Sequence, residues 1–180
     1  AISTIDELKP FQDELPSAYA DRLGELYARN TSAEEKKLKG QFFTPLTISR
    51  FMDSLANKHI GKVSILDPGC GTGVLSICLV EYLVSLGKPL ETIHLTAYET
   101  DLVLLKHSKK AFNYLKEWLS RKNIKLSVSI VQTDFILDNK QVLEINPGLF
   151  VSDNDSYDFI ICNPPYFKLS KEDPRTKSAK

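Results

Sequence analysis

Four residues near the end of the chain could hold a flat group that carries an amino nitrogen. They are Asn163-Pro164-Pro165-Tyr166, and they follow the apolar, β-forming run YDFIIC at 157–162. The side-chain carbonyl of Asn163 and the backbone carbonyl of Pro164 are two rigidly held acceptors. Together they could take both hydrogens of an exocyclic –NH₂ and aim its lone pair, while Tyr166 stacks on the ring. The alternative is a proline-rich turn that closes a strand.

A glycine-rich turn follows a second predicted strand, VSILD at 63–67, and opens a predicted helix. Glycines at alternate positions allow tight turning and close approach of a ligand, and the helix N-terminus offers free N–H groups. Such a turn could hold a phosphate, a dinucleotide or a carboxylate. It is not GxGxxG and no GK[ST] follows, so neither the dinucleotide fingerprint nor the P-loop fits. The turn reads Asp67-Pro68-Gly69-Cys70-Gly71-Thr72-Gly73.

A carboxylate ends the next predicted strand, TIHLTAYE at 92–99. Glu99 there can accept from two ribose hydroxyls, and we include the adjacent Thr100 in the same candidate site. The alternative is an acidic helix start, for which Asp101 is suited as the N-cap.

A second acidic strand end follows LSVSIVQ at 126–132. The carboxylate of Asp134 can accept from an adenine amino group, and the ring of Phe135 can cover the base. The alternative is an ordinary loop residue. Ligands of doubly wound sheets bind at the carboxyl ends of the strands, so the three ends together fit one nucleoside-like ligand.

The elements that must position these residues alternate between strand and helix. Four predicted strands are separated by predicted helices at 74–85 and 102–122, with an irregular stretch before the fourth strand. This alternation indicates an α/β fold with a doubly wound parallel sheet. We expect three segments: a helical segment at 1–39 with helix over 1–30, a core at 40–167 with a first helix from Pro45 to about Lys58, and a polar basic tail at 168–180.

Composition describes an ordinary globular domain. The 180 residues are 42% hydrophobic and 26% charged with no net charge, which neither predicts nor excludes a local nucleic-acid patch. Three cysteines, an odd number in apolar or glycine-rich surroundings, suggest reduced thiols in a cytoplasmic protein. No Cys/His cluster has metal-ligand spacing, so we expect no metal. No apolar run approaches the roughly 20 residues of a membrane span.

Taken together, the motifs resemble the gamma class of N6-adenine DNA methyltransferases of restriction–modification systems. GQFFTP at 40–45 resembles their motif X, which contacts the methionine part of S-adenosylmethionine, and LDPGCGTG at 66–73 resembles motif I. Glu99 matches the ribose acid of motif II, Asp134-Phe135 the adenine-binding pair of motif III, and NPPY at 163–166 the catalytic motif IV. Motif X ahead of motif I is the gamma order.

The resemblance implies a Rossmann-like class I methyltransferase fold, with about four of its seven strands present after an N-terminal helical segment. It implies that adenine is flipped out of double-stranded DNA and that its N6 nitrogen attacks the sulfonium methyl directly. The catalytic residues would be Asn163, Pro164, Pro165 and Tyr166. The cofactor-binding residues would be Phe43, Thr44, Pro45, Asp67, Pro68, Gly69, Cys70, Gly71, Gly73, Glu99, Thr100, Asp134, Phe135 and Asn163. Asp67 would fix the loop or the methionine amine.

The chain departs from this family pattern at its end, which comes 14 residues after NPPY. Later motifs and a target-recognition domain are absent from it. We therefore expect a truncated part that carries the cofactor half of the site and is inactive alone on DNA, with a restriction or specificity partner left open.

Two other functions stay open. Glutamine N5-methyltransferases acting on release factors and rRNA guanine-N2 methyltransferases share NPPY, although QFFTP argues against both. A non-catalytic module that binds the cofactor or a partner is the other alternative. The N-terminal helix could dock on such a partner, but its burial against its own domain is the favoured interpretation.

Overall fold

The computed structural model describes residues 5, 7–32, 34, 61–139, 156–163, 172–174 and 176. The motif at 40–45, the helix predicted to run to Lys58, and Pro164, Pro165 and Tyr166 lie outside the described residues. In chain order the elements are α1 (Pro16–Asn30), β1 (Lys62–Asp67), α2 (Val74–Ser85), β2 (Thr92–Tyr98), α3 (Leu102–Ser120), β3 (Lys125–Val131), α4 (Phe135–Asp138) and β4 (Phe159–Ile160).

The four strands form one parallel sheet in the order β3-β2-β1-β4, as predicted. β1 pairs with β2 from Lys62↔Thr92 to Asp67↔Ala97, whereas β4 pairs with β1 over two residues. The chain leaves β1 toward β2 and β3 and returns to the opposite side of β1 as β4. The strand order therefore reverses between β1 and β4, where ligands of open α/β sheets bind.

Helices α2 and α3 connect neighbouring strands of the sheet. Right-handed crossovers in the same direction place α2 and α3 on one face, and α1 packs against both. The sequence of α2, VLSICLVEYLVS, is apolar almost all round, which is typical of a helix that is covered on more than one side. The side chains of Tyr19, Leu23, Ile65, Ile77 and Leu115 are fully buried in the resulting core. The N-terminal helix is thus buried against its own domain, as expected.

The first helix is shorter than predicted. It begins at Pro16, and the described residues 7–15 are irregular with short turns, with Asp13 in the left-handed region at φ 58°. Pro16 lacks an N–H, which suits the first turn of a helix. No side chain of α1 itself caps this end. Instead Ser17 donates its N–H and its hydroxyl to the Glu81 carboxylate of α2, both at 2.7 Å.

Aspartates begin the two helices that follow β2 and β3. Asp101 caps α3, accepting from Val103 N and Leu104 N, so its predicted N-cap role is confirmed. α4 was not predicted, because the sequence after Asp134 carries no helical period. It is a single turn, long enough for one cap and too short for an amphipathic pattern.

Three further findings concern the described residues only. Cys70 and Cys78 are buried and Cys162 is exposed, and none of the three takes part in a disulfide. No group of three potential metal ligands occurs in this part of the chain. None of its helices combines the length and the apolar character needed to cross a bilayer.

Candidate functional site

The glycine-rich loop after β1 is fixed by backbone hydrogen bonds. Cys70 N–H donates to Tyr98 O of β2 at 2.9 Å, and Gly73 N–H donates to Cys70 O at 2.7 Å. Gly71 and Gly73 have φ of 56° and 86°, which side chains with a Cβ rarely adopt. The loop therefore turns tightly over the carboxyl ends of β1 and β2 before α2 begins.

Two glycines of the loop differ in what surrounds them. A Cβ on Gly73 would meet Phe112 Cε1 and Cζ at 2.7 Å, so this position is closed by α3. A Cβ on Gly69 would meet nothing within 4 Å. The loop is thus packed on its helix side and open at Gly69, where a ligand can approach the backbone.

Glu99 joins the glycine loop to the end of β2. Its Oε2 accepts from Gly71 N–H at 3.0 Å, and its Oε1 accepts from Asp101 N–H at 2.8 Å. The residue is only 9% exposed. Burial raises the pKa of Glu99, although the two N–H donors lower it. Its position fits the predicted role toward a ribose, and both oxygens already accept from backbone.

Asp67, the last residue of β1, is completely buried. Its Oδ1 accepts from Gly69 N–H at 3.4 Å, and its Oδ2 has no hydrogen-bond partner among the described residues. Burial raises the pKa of Asp67 to about 7, even though the nearby Ser76 hydroxyl and the Gly69 N–H lower it. The negative charge of Glu99 raises it further. The Ser76 hydroxyl donates to Gly73 O at 3.2 Å, so Asp67 Oδ2 remains an unused acceptor.

Thr72 lies inside the glycine-rich loop and was not among the predicted site residues. Its Oγ1 is buried and has no partner among the described residues. The signal was present, because a threonine inside a glycine loop is a polar group that must be satisfied. The two unsatisfied buried atoms, Asp67 Oδ2 and Thr72 Oγ1, are suited to a ligand that carries positive charge and hydrogen-bonding groups.

Asp134 and Phe135 lie at the end of β3, as the sequence predicted. Asp134 Oδ1 accepts from Ile136 N–H at 2.9 Å and from Leu137 N–H at 3.2 Å, so the structure shows an N-cap. Phe135 packs edge-on against Tyr98 at 5.1 Å between ring centroids. The two residues are therefore held at this edge of the sheet, while contact with a base stays a prediction. Thr100, the remaining candidate here, is exposed.

Asn163 reaches the same edge through β4. Ile161 N–H donates to Leu66 O at 3.0 Å, so the chain is still tied to β1 two residues before Asn163. Burial of part of the Cys162 side chain raises the pKa of its thiol, and the charge of Asp67 raises it further. The sheet order thus brings Asn163 beside the residues after β1.

A surface depression lies elsewhere, over the C-terminal half of α3. It is bordered by Asn113, Lys116, Glu117, Ser120 and Arg121. The strand ends meet the N-terminal end of α3, and no unsatisfied buried side chain is found among the residues that line the depression. We therefore take the strand ends as the candidate site.

The sequence is similar to known methylases. A family model described as N-6 DNA Methylase matches residues 18–179. The type II methyltransferase M.AccI of Acinetobacter calcoaceticus is 28% identical over 149 residues, which are 82% of this chain and 22% of that protein. The type II methyltransferase M.BsuBI of Bacillus subtilis is 30% identical over 153 residues, 82% of this chain and 28% of that protein. The chain spans about a quarter of the length of these curated relatives.

The fold is similar to solved structures. One is a protein from Listeria monocytogenes assigned as a class I S-adenosylmethionine-dependent methyltransferase, with a TM-score of 0.58 at 18% identity, covering 91% of this chain and 42% of that one. Another is a modification subunit assigned to a type I restriction enzyme from Vibrio vulnificus, with a TM-score of 0.57 at 21% identity, covering 89% and 31%. The sheet is therefore of the class I methyltransferase type.

Proposed function

Because the chain belongs to the N-6 DNA methylase family, we propose that it transfers a methyl group from S-adenosylmethionine to the N6 amino group of adenine in DNA. The observation that carries this proposal is the position of Asn163. It follows β4, directly beside the strand whose end bears the glycine loop. An acceptor for an amino group and a candidate cofactor loop thus share one edge of the sheet.

The residues at the strand ends suit S-adenosylmethionine. The cofactor, when bound, supplies a methyl group activated by a sulfonium. Glu99 would accept from the ribose hydroxyls, the Gly69 backbone would allow close approach, and Asp67 Oδ2 would accept from the methionine ammonium. An unsatisfied buried carboxyl oxygen supports this last assignment, because a cationic donor removes the cost of ionising it. Phe43, Thr44, Pro45, Pro68, Cys70, Gly71, Gly73, Thr100, Asp134 and Phe135 complete the proposed cofactor set.

The NPPY segment would hold the amine. The side-chain oxygen of Asn163 and the carbonyl of Pro164 accept its two hydrogens, Pro165 restricts the backbone, and Tyr166 stacks on a base flipped from the duplex. Both acceptors pull the amino hydrogens out of the ring plane, so the nitrogen lone pair points away from the ring. Catalysis on this account is positioning and polarisation of the amine, with no residue attacking the substrate.

Double-stranded DNA is the proposed partner, and the cytoplasm is the proposed location, since none of the three cysteines takes part in a disulfide. Methylation of a glutamine amide or of rRNA guanine is not favoured, because the family and the matched relatives are DNA and type II methyltransferases. A purely non-catalytic module would leave the Asn163 amide unexplained at this position.

Cofactor binding tests the first half of the proposal. Calorimetric titration of S-adenosylmethionine should show binding that Glu99→Gln weakens about tenfold or more, because a charged acceptor is lost. Glu91→Gln is the matched control, since this exposed glutamate directly precedes β2 at its opposite end. No binding by the folded chain, or an equal effect of both variants, would contradict the proposed pocket.

Methyl transfer tests the second half, with the protein at its natural length. Asn163→Ala should reduce transfer of tritiated methyl to adenine in duplex DNA by about a hundredfold or more while retaining cofactor binding. Asn113→Ala, an exposed position on α3, should leave transfer unchanged. Methyl appearing on release-factor glutamine or on rRNA guanine, and not on DNA adenine, would overturn the substrate assignment.

A further inference from the structure

A tyrosine of the N-terminal helix reaches the candidate cofactor site. Tyr27 lies in the last turn of α1 and is 3% exposed. Its hydroxyl donates to Asp101 Oδ2 at 3.1 Å, although the two residues are 74 positions apart. Its ring and the His107 ring of α3 pack nearly perpendicular to each other, with the ring centroids 5.8 Å apart. A side chain outside all the sequence motifs therefore contacts Asp101, the N-cap of α3.

Asp101 connects this tyrosine to the strand ends. Its Oδ1 accepts from Val103 N–H at 2.8 Å and from Leu104 N–H at 3.1 Å, while Oδ2 takes the tyrosine hydroxyl. Its own N–H donates to Glu99 Oε1 at 2.8 Å. The side chain is thus held from two directions, and the position of its backbone N–H is held with it.

Glu99 passes the constraint on to the glycine loop. Its second oxygen, Oε2, accepts from Gly71 N–H at 3.0 Å. A continuous hydrogen-bonded series therefore runs from Tyr27 through Asp101 and Glu99 to Gly71, joining α1, α3, β2 and the loop after β1. Hydrogen bonds linked in this way restrict the orientation of a buried carboxylate more than any single bond does.

We propose that Tyr27 is a positioning residue of the cofactor site: its hydroxyl fixes Asp101, and through Asp101 the carboxylate of Glu99 and the Gly71 amide. The proposal rests on the proposed function, which assigns Glu99 to the cofactor ribose. It gives α1 a role in cofactor binding that burial alone does not require.

The packing of α1 does not depend on this hydroxyl. Ser17 holds the start of the helix with two bonds of 2.7 Å to Glu81, and the Tyr114 hydroxyl of α3 donates to Glu14 O at 2.6 Å. The ring of Tyr27 would still pack on His107 without its oxygen. Removing the oxygen therefore separates positioning of the site from attachment of the helix.

Tyr19 offers a matched control on the same helix. It is also buried, and its hydroxyl donates to Leu8 O at 2.8 Å, away from the strand ends. Tyr19→Phe and Tyr27→Phe thus each delete one buried hydroxyl of α1 together with the hydrogen bond that it donates to Leu8 O or to Asp101 Oδ2. Only Tyr27→Phe removes a bond to the series that ends at Gly71.

The test compares the two variants by calorimetry with S-adenosylmethionine and by amide hydrogen exchange in the ligand-free chain. Tyr27→Phe should weaken S-adenosylmethionine binding about fivefold. The lost hydrogen bond to the Asp101 carboxylate would leave Asp101, and through it Glu99, less firmly positioned. Tyr27→Phe should also accelerate exchange at the Asp101 and Gly71 amides. The two variants should lower Tm by similar amounts. Tyr19→Phe should leave the affinity for S-adenosylmethionine and the exchange rates of the Asp101 and Gly71 amides unchanged.

Two results would overturn the proposal. One is an equal loss of affinity in both variants, which would make Tyr27 a structural residue only. The other is unchanged exchange at the Asp101 amide in Tyr27→Phe, which would break the series at its first step. Failure of the wild-type chain to bind S-adenosylmethionine would instead reject the proposed function, while the ligand-free exchange rates would still decide whether Tyr27 controls the loop.

Discussion

Asp158, just before β4, and Ser64, in β1, hydrogen-bond to each other reciprocally. Asp158 Oδ2 accepts from the N–H and from the hydroxyl of Ser64, both at 2.9 Å, and Asp158 N–H approaches Ser64 Oγ and O at 3.0 Å. β4 pairs with β1 over only two residues, so these bonds and the Ile161–Leu66 bond define its register. A slip of one residue would turn Asn163 to the other face.

The first prediction concerns this pair. Asp158→Ala should lower the free energy of unfolding by about 1.5–3 kcal/mol, because hydrogen bonds to a charged group are lost. Cofactor affinity should change little, since the glycine loop and Glu99 follow β1 and β2, while methyl transfer through Asn163 should fall. Urea unfolding, calorimetry and a tritium assay measure the three quantities. Ser127→Ala, at an exposed position in β3, is the control, and an equal loss there would remove the special role of Asp158.

The second prediction concerns Gly73. Gly73→Ala should destabilise the chain by roughly 2–4 kcal/mol, because an alanine must adopt a left-handed φ and its Cβ must displace the Phe112 ring. Gly69→Ala should stay within about 0.5 kcal/mol, since nothing lies within 4 Å of the added atom. Denaturant unfolding of both variants measures the difference, and equal stabilities would refute the packing described at Gly73.

The third prediction concerns pH and Asp67. Its pKa in the folded chain is about 7, above the ordinary value of 3.8, so the folded state holds this proton more tightly than the unfolded state. Its contribution to stability is therefore complete below pH 3.8 and is lost as pH rises through about 7. Burial also raises the pKa of Glu99 above its ordinary value, so ionisation of Glu99 lowers stability with rising pH in the same direction.

Asp67→Asn tests this sign directly. Relative to wild type, the variant should gain up to about 4 kcal/mol of unfolding free energy between pH 4 and pH 8, because asparagine does not ionise. The same variant should bind S-adenosylmethionine more weakly at pH 8, where the carboxylate would accept from the ammonium. Urea titrations at several pH values and calorimetry are the measurements. The exposed Asp13→Asn serves as control, and a pH-independent difference for Asp67→Asn would contradict the prediction.

The fourth prediction concerns the start of α1. Glu81→Ala should lower the free energy of unfolding by about 1–3 kcal/mol, because the buried Ser17 would lose both partners for its N–H and hydroxyl. Glu117→Ala, an exposed glutamate on α3, should change it by less than about 0.5 kcal/mol. Thermal and urea unfolding measure both. If the two substitutions proved equivalent, the cap supplied by α2 would contribute nothing to stability.

The sequence predicted helices and strands well where the hydrophobic period and the length of the segment were clear. α2 at 74–85 was predicted at its observed bounds, and α3 ended within two residues of the predicted Lys122. The four strands also appeared where apolar runs predicted them. The errors were at 7–15, where turns and irregular chain replace the predicted helix, and at α4, whose single turn has no period to detect.

The sequence by itself determined which residues stand at the strand ends, because the predicted strands put Asp67 at the end of one and Glu99, Asp134 and Asn163 at or after the ends of the others. It could not determine which strand ends are neighbours. Only the tertiary structure decided that β4 lies beside β1.

Tertiary packing likewise decided that Asp67 is fully buried with an unused oxygen, and that Glu81 and Tyr27 support α1 and Asp101. These are contacts across 64 and 74 positions for the two pairs, Ser17–Glu81 and Tyr27–Asp101. The residue types predict the chemistry each group can do. Burial and partners, which set pKa and orientation, arise only when distant segments pack together.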